Sequence, residues 1–269
     1  ATTKVIAGPA KKSRVITEKE RKLTAYHEAG HAIVMRSIPE SDPVHQITII
    51  PRGGAGGFTM QLPEEDKQYA TKGMMLNDIK HLLGGRVAEL LTLDDISTGA
   101  SNDIQRATDV ARAMVTKYGF SDKLGPVNYS DSEEVFLGND FSSKKSYSEE
   151  VAAEIDHEIR RIVEEAFEET KKIISENLDK LERVAQALLA VETLDGQQFE
   201  QLYTGEKSAE DIENDVMEKE AEIRKVNAQE AEESEKLRRE AEERLMEEIE
   251  RLRNQYVSAD GTTHRRDEE

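Results

Sequence analysis

The chain contains His27-Glu28-Ala29-Gly30-His31, and this run demands a helix. At 3.6 residues per turn, histidines four positions apart differ in direction by only about 40°, so both imidazoles can reach one metal ion. Glu28 points about 100° from His27 and about 60° from His31 on the same wheel. That sets its carboxylate beside the metal, where it can take a proton from a metal-bound water, as a zinc peptidase requires. Thr17 followed by Glu20 forms a capping box ahead of the run, and Pro39 closes the far end. Gly30 costs about 1 kcal/mol inside a helix, so it has to serve close packing near the histidines.

Composition narrows the alternatives. Of 269 residues, 35% are charged and 5% aromatic, with no Trp, so the core is small for the length. The net charge of −19 argues against nucleic acid as the main partner, because phosphate neutralisation needs clustered Lys and Arg. Without cysteine there are no disulfides or thiolate ligands, and zinc must sit on His and carboxylate. No apolar run approaches the roughly 18 residues of a membrane span, and no signal peptide opens the chain, which reads as a soluble piece.

Residues 1–16 are basic, carry Gly8-Pro9 and read as a linker. After the metal helix, Val44–Ile50 alternates as a strand. Arg52–Gly57 makes a glycine-rich turn, and Phe58–Leu62 forms a second short strand halted by Pro63, so the pair is expected as a small hairpin or sheet edge. No Lys-Ser/Thr follows those glycines, which sets aside a phosphate loop. Helical periodicity runs from Glu65 to Leu91, with Gly84-Gly85 allowing another helix to approach. The capping-rich Ser97–Asp103 starts a helix that runs to Gly119 and has Asp103 in its first turn. A loop is expected over 120–145, a long helix over 147–177, and shorter helices over 179–191 and 196–203. From position 206 the chain has 22 acidic against 12 basic residues. Its apolar stripe, interrupted by Glu230 and Glu233, suits either a broken coiled coil or a solvated helical or disordered acidic tail.

A catalytic zinc usually takes three protein ligands and one water. His45, His81, His157, Glu89, Asp94, Asp95 and Asp103 could each supply the third, and spacing does not choose among them.

Further motifs do. Val5-Ile6-Ala7-Gly8-Pro9, Ala25-Tyr26-His27-Glu28-Ala29-Gly30-His31, Leu83-Gly84-Gly85-Arg86, Ser97-Thr98-Gly99-Ala100-Ser101-Asn102-Asp103-Ile104 and Gly119–Pro126, in this order, resemble the peptidase domain of the FtsH family of membrane-anchored AAA+ zinc metalloproteases. The resemblance covers about residues 4–205. It implies a mainly α fold with a small β-sheet and divides the chain into a linker (1–16), a zinc metallopeptidase domain (17–205) and an acidic helical or disordered tail (206–269). It implies Zn²⁺ on His27, His31 and Asp103, with Glu28 as general base. It further implies a sheet edge at Gly57, Phe58, Thr59, Met60 and Gln61 that receives unfolded polypeptide as an added strand.

The family assembles as a homo-hexamer joined to ATPase and transmembrane domains, at the cytoplasmic face of the bacterial inner membrane. The resemblance therefore implies a protease fragment that begins in the last helix of an ATPase domain. One departure is Leu90, where the family commonly has a second glutamate; packing or a contact supporting the ligands is expected to differ there, with the metal site intact. An adaptor module holding structural zinc is the competing reading. Glu28 speaks against it, since a structural site has no use for a base.

Overall fold

The computed structural model describes residues 16–39, 41–51, 56–63, 69–93, 95–130 and 147–260, with side chains as far as 251. The expected linker lies outside these residues except for Ile16. The glycine-rich turn lies outside at 52–55, and the loop at 131–146.

Helix α1 (Glu18–Ser37) begins at the expected capping box: the Thr17 hydroxyl accepts from the Glu20 amide at 3.2 Å, and the Glu20 carboxylate accepts from the Thr17 amide at 2.9 Å. It ends at Ile38, whose extended backbone suits the residue before a proline. From Ala25 to Met35 every residue of α1 is buried, polar ones included. This helix therefore runs through the protein rather than along its surface, and is covered on several sides.

A three-stranded antiparallel sheet lies against it in the order β2–β1–β3, built from β1 (Val44–Thr48), β2 (Phe58–Gln61) and β3 (Thr193–Asp195). The sequence reading anticipated β1 and β2 and missed β3, because three residues are too few to show alternation. Register pairs Ile47 with Thr59 on one side and with Leu194 on the other, leaving β2 at an edge.

Helix α2 (Lys72–Thr92) starts later than the periodicity suggested. The Thr71 hydroxyl accepts from the Met74 amide and fixes the N-terminus there, and Tyr69 before it is exposed. Helix α3 (Ser101–Thr116), α4 (Glu149–Ser175), α5 (Leu178–Val191) and α6 (Gly196–Thr204) follow. The last two lie within a residue of expectation, and α6 opens with an Asp195/Gln198 capping box.

Two apolar clusters form the core of the described residues. One joins α1 to β1, β3, α5 and α6 through Ile33, Ile47, Leu188, Leu194 and Phe199, and the other joins α2, α3 and α4 through Ile79, Met114, Ile155 and Ile162. The contact between α1 and α2 depends on glycine. A Cβ on Gly30 would lie 2.5 Å from both Ala88 Cβ and Gly84 O, so the helices meet backbone to backbone. This is the close packing that Gly30 and the Gly84-Gly85 pair called for.

The chain divides into two compact units, residues 1–213 and 214–269. Helix α7 (Ala209–Asp260) starts in the first, where Ile212 is fully buried in the core. In the second unit α7 continues through Glu230 and Glu233, exposes Ile223, Leu237, Leu245 and Ile249, and carries i,i+4 pairs such as Glu235–Arg239 at 2.8 Å. No described helix is long and apolar enough to cross a membrane.

Candidate metal centre

The long buried stretch of α1 presents His27 and His31 to one cleft, and the first turn of α3 brings Asp103 to them. His27 Nε2 lies 3.1 Å from His31 Nε2 and 3.2 Å from Asp103 Oδ2, and His31 Nε2 lies 3.7 Å from that same oxygen. Zinc bonds of about 2.0–2.1 Å in tetrahedral geometry separate their donors by about 3.4 Å. The triangle of two nitrogens and an oxygen therefore has the size and donor chemistry for a zinc ion. Among the described residues it is the group of His and carboxylate donors that meets at such spacing.

Each imidazole is held from behind. His27 Nδ1 is 2.8 Å from Glu89 Oε1, and His31 Nδ1 donates to the carbonyl oxygen of His81 at 2.8 Å. Both contacts put the proton on Nδ1 and leave Nε2 free to act as a ligand. Glu89 is fully buried near the end of α2 and also accepts from the Ser97 amide at 2.8 Å and the Ser97 hydroxyl at 3.1 Å. Ser97 is thereby committed to Glu89. The helix following it starts at Ala100 with no side-chain cap, where the sequence pattern suggested one. Gly85 keeps α2 close behind His27, because a Cβ there would overlap the imidazole ring.

Charge follows from this packing. Burial opposes protonation of His27, yet with no metal at Nε2 its bonds to Asp103 and Glu89 outweigh burial and lift it to about 9, so a zinc ion there would take the place of the Nε2 proton. Asp103 and Glu89 both fall below the usual carboxylate range, burial being overcome by the imidazoles and, at Glu89, by Ser97 as well. Glu28 moves the other way: burial raises it despite the histidines and the Thr59 hydroxyl. Thr59, on β2, lies 2.8 Å from Glu28 Oε2 and 3.0 Å from the Glu28 carbonyl oxygen, donating to either, and so links the edge strand to that carboxylate.

The other possible third ligands lie elsewhere. His45 on β1, His157 on α4 and Asp95 are exposed outside the cluster, and Asp94 falls outside the described residues. Glu89 touches the wrong nitrogen of His27 to share its metal. His81 lines the cleft and packs edge-on to His31, with ring centroids 5.3 Å apart, but does not join the donor triangle. Burial, then His31 and Arg106, push it down to about 3, so it is neutral. Gly57, Phe58 and Thr59 line the same cleft, whereas Met60 and Gln61 continue along β2 beyond it. Leu90 is 44% exposed, beside the buried Glu89, so the departure from the family pattern falls on the outer face of α2.

The bonds from Glu89, Thr59 and the His81 carbonyl went unread in the sequence. Glu89 is visible in the sequence only as one of several carboxylates, Thr59 only as part of the expected substrate edge, and a backbone acceptor leaves no sequence signal.

Two imidazoles on one helix, a carboxylate from another and a buried glutamate beside them, in a cleft next to a sheet edge, define a metallopeptidase. The chain belongs to Peptidase family M41, which it matches over residues 14–202. It is 67% identical over 207 residues to the ATP-dependent zinc metalloprotease FtsH 2 of Alkaliphilus metalliredigens, covering 77% of this chain and 30% of that protein. It is 60% identical over 207 residues to FtsH 1 of a Thermoanaerobacter species, covering 77% and 34%. With the FtsH of Bacillus subtilis identity is 54% over 204 residues, covering 75% and 32%. The chain thus spans about a third of the length of these curated relatives. Their names make Zn²⁺ the expected cofactor.

Proposed function

We propose that this chain is the endopeptidase part of an ATP-dependent protease acting on unfolded and membrane proteins, with His27, His31 and Asp103 holding one zinc ion and Glu28 as general base. The convergence of three donors at zinc spacing, one residue from a buried carboxylate on the same helix, carries the reading. When bound, zinc supplies Lewis acidity toward a water and the scissile carbonyl. Glu28 accepts the proton that the attacking water loses and delivers it to the departing amide nitrogen. Thr59 holds one Glu28 oxygen, so the base keeps its orientation between these transfers. Glu89 and the His81 carbonyl hold the imidazole tautomers that expose Nε2. The edge position of β2 suits an extended substrate added as a further strand along Gly57–Gln61.

Residues 17–205 form the peptidase domain in this reading, preceded by a linker at 1–16 and followed by an acidic tail at 206–269. In the whole protein the peptidase would work as a homo-hexamer, joined to ATPase and transmembrane domains at the cytoplasmic face of a bacterial membrane. The names of the relatives support the ATP dependence. The chain itself contains no G-x-x-x-x-G-K-[S/T], so no nucleotide-driven unfolding is expected from it alone. The test is metal content together with casein hydrolysis, with and without a chelator. One zinc per chain and chelator-sensitive cleavage, unaffected by ATP, support the reading; a preparation with full zinc that cleaves no unstructured chain refutes it.

A further inference from the structure

Among the described residues, the cleft that holds the metal donors also carries one permanent cation with no assigned task. Arg106 lies on α3 three residues after Asp103, about 60° further round the helix and about 4.5 Å along it. It is exposed, lines the cleft together with His81, Leu82 and Asn102, and has no ion pair or hydrogen bond among the described residues. Arg86, on the far side of Glu89 from His27, is enclosed, with Nη1 3.7 Å from Glu89. The two acids of the cleft are also engaged, Glu28 with Thr59 and Asp103 with His27. Among the described residues Arg106 therefore supplies the uncommitted charge on the cleft wall, in a chain whose net charge is −19. A guanidinium offers five donors in a planar fork that matches a carboxylate in bidentate fashion. Arg106 and its cleft neighbours His81, Leu82 and Asn102 belong to α2 and α3, whereas Glu28 is tied to Thr59 of β2.

We propose that Arg106 is a specificity-determining residue, which binds a carboxylate of the substrate close to the scissile bond and favours cleavage next to an acidic residue or a free chain end. This rests on the assignment of the cleft as a peptidase site.

The test uses the full chain and quenched fluorogenic peptides in which each position within three residues of the cleaved bond carries Gln or Glu, with the C-terminus free or amidated. At one position Glu should raise kcat/KM at least about threefold over Gln, in line with a partly exposed ion pair. Loss of the effect on amidation alone would identify the chain end as its source. Arg106→Gln should abolish the preference while leaving zinc content, melting temperature and hydrolysis of the all-neutral peptide unchanged, and Arg106→Glu should transfer it to Lys. Hydrolysis of the neutral peptide by the wild-type chain tests the peptidase reading separately. Binding of labelled Glu and Gln peptides to Glu28→Gln, with and without Arg106→Gln, reads the same preference without turnover. Equal binding and cleavage of all peptides, or a preference that survives Arg106→Gln, overturns the proposal.

Discussion

Glu89 Oε1 lies 2.8 Å from His27 Nδ1, on the side of the ring opposite the nitrogen that faces Asp103. A fully buried carboxylate in this place orients the imidazole and makes its Nε2 a better donor. Glu89→Gln can still meet the ring but forfeits the charge, and zinc affinity should fall by about 10- to 100-fold. Competition titration against a chromogenic chelator measures it, and an unchanged affinity would remove Glu89 from the metal centre.

The glycine behind His27 makes a sharper steric claim. A Cβ at position 85 would occupy the space of the imidazole, so Gly85→Ala must push either the ring or α2 aside. Zinc content should drop well below one per chain while far-UV circular dichroism retains the helices. Gly30→Ala forces apart the backbones of α1 and α2 and should lower stability by about 1–3 kcal/mol, read by denaturant unfolding of the zinc-free chain.

How far the sequence disclosed all this depended on the range of each signal. The α1 helix, its cap and its three functional side chains are local, and periodicity with the capping rules sufficed for them. Asp103 is remote from His27 in the chain, and only the resemblance to a family singled it out from six other candidates. Glu89 and Thr59 act through contacts made by tertiary packing, which leave no periodic trace. Thr71 and Ser97 show the converse error. Both are capping residue types, but Thr71 starts a helix later than the apolar pattern suggested, and Ser97 spends its hydroxyl and amide on Glu89 instead of a helix end.

The end of the compact unit is testable by truncation. Ile212 is fully buried in the core although it lies in the first turn of α7. Ending the chain after Glu213 should leave the melting temperature of the peptidase unit and its zinc unchanged. Ending it after Gly205 removes the Ile212 side chain and should cost about 1.5–3 kcal/mol. Equal stability of the two truncations would contradict the packing of Ile212.

Acid sensitivity has a defined source at the junction of α4 with the segment after α3. Glu158 is bound by Arg161 at 2.9 Å and by the Ser121 hydroxyl at 2.7 Å, and Lys123 adds a further positive charge. The Arg161 guanidinium, then burial working against it and the Ser121 bond working with it, bring its carboxyl down to about 2 from 4.5. A carboxyl depressed in the folded state contributes stability that is complete above the unfolded value near 4.5 and is lost as pH falls from there toward 2. Glu158→Gln should therefore flatten the fall in unfolding free energy between pH 4.5 and 2.5 relative to wild type. Parallel curves would show that Glu158 does not titrate as its contacts require.

The assignment of Glu28 is tested most directly by Glu28→Gln, with zinc content and peptide hydrolysis measured on the same preparation. The amide is nearly isosteric and can keep the bond to Thr59, but it cannot accept the proton of water near neutral pH. The expected result is one zinc per chain, as in wild type, with the rate down by about 10²-fold or more. A zinc-loaded variant that cleaves at the wild-type rate would contradict it.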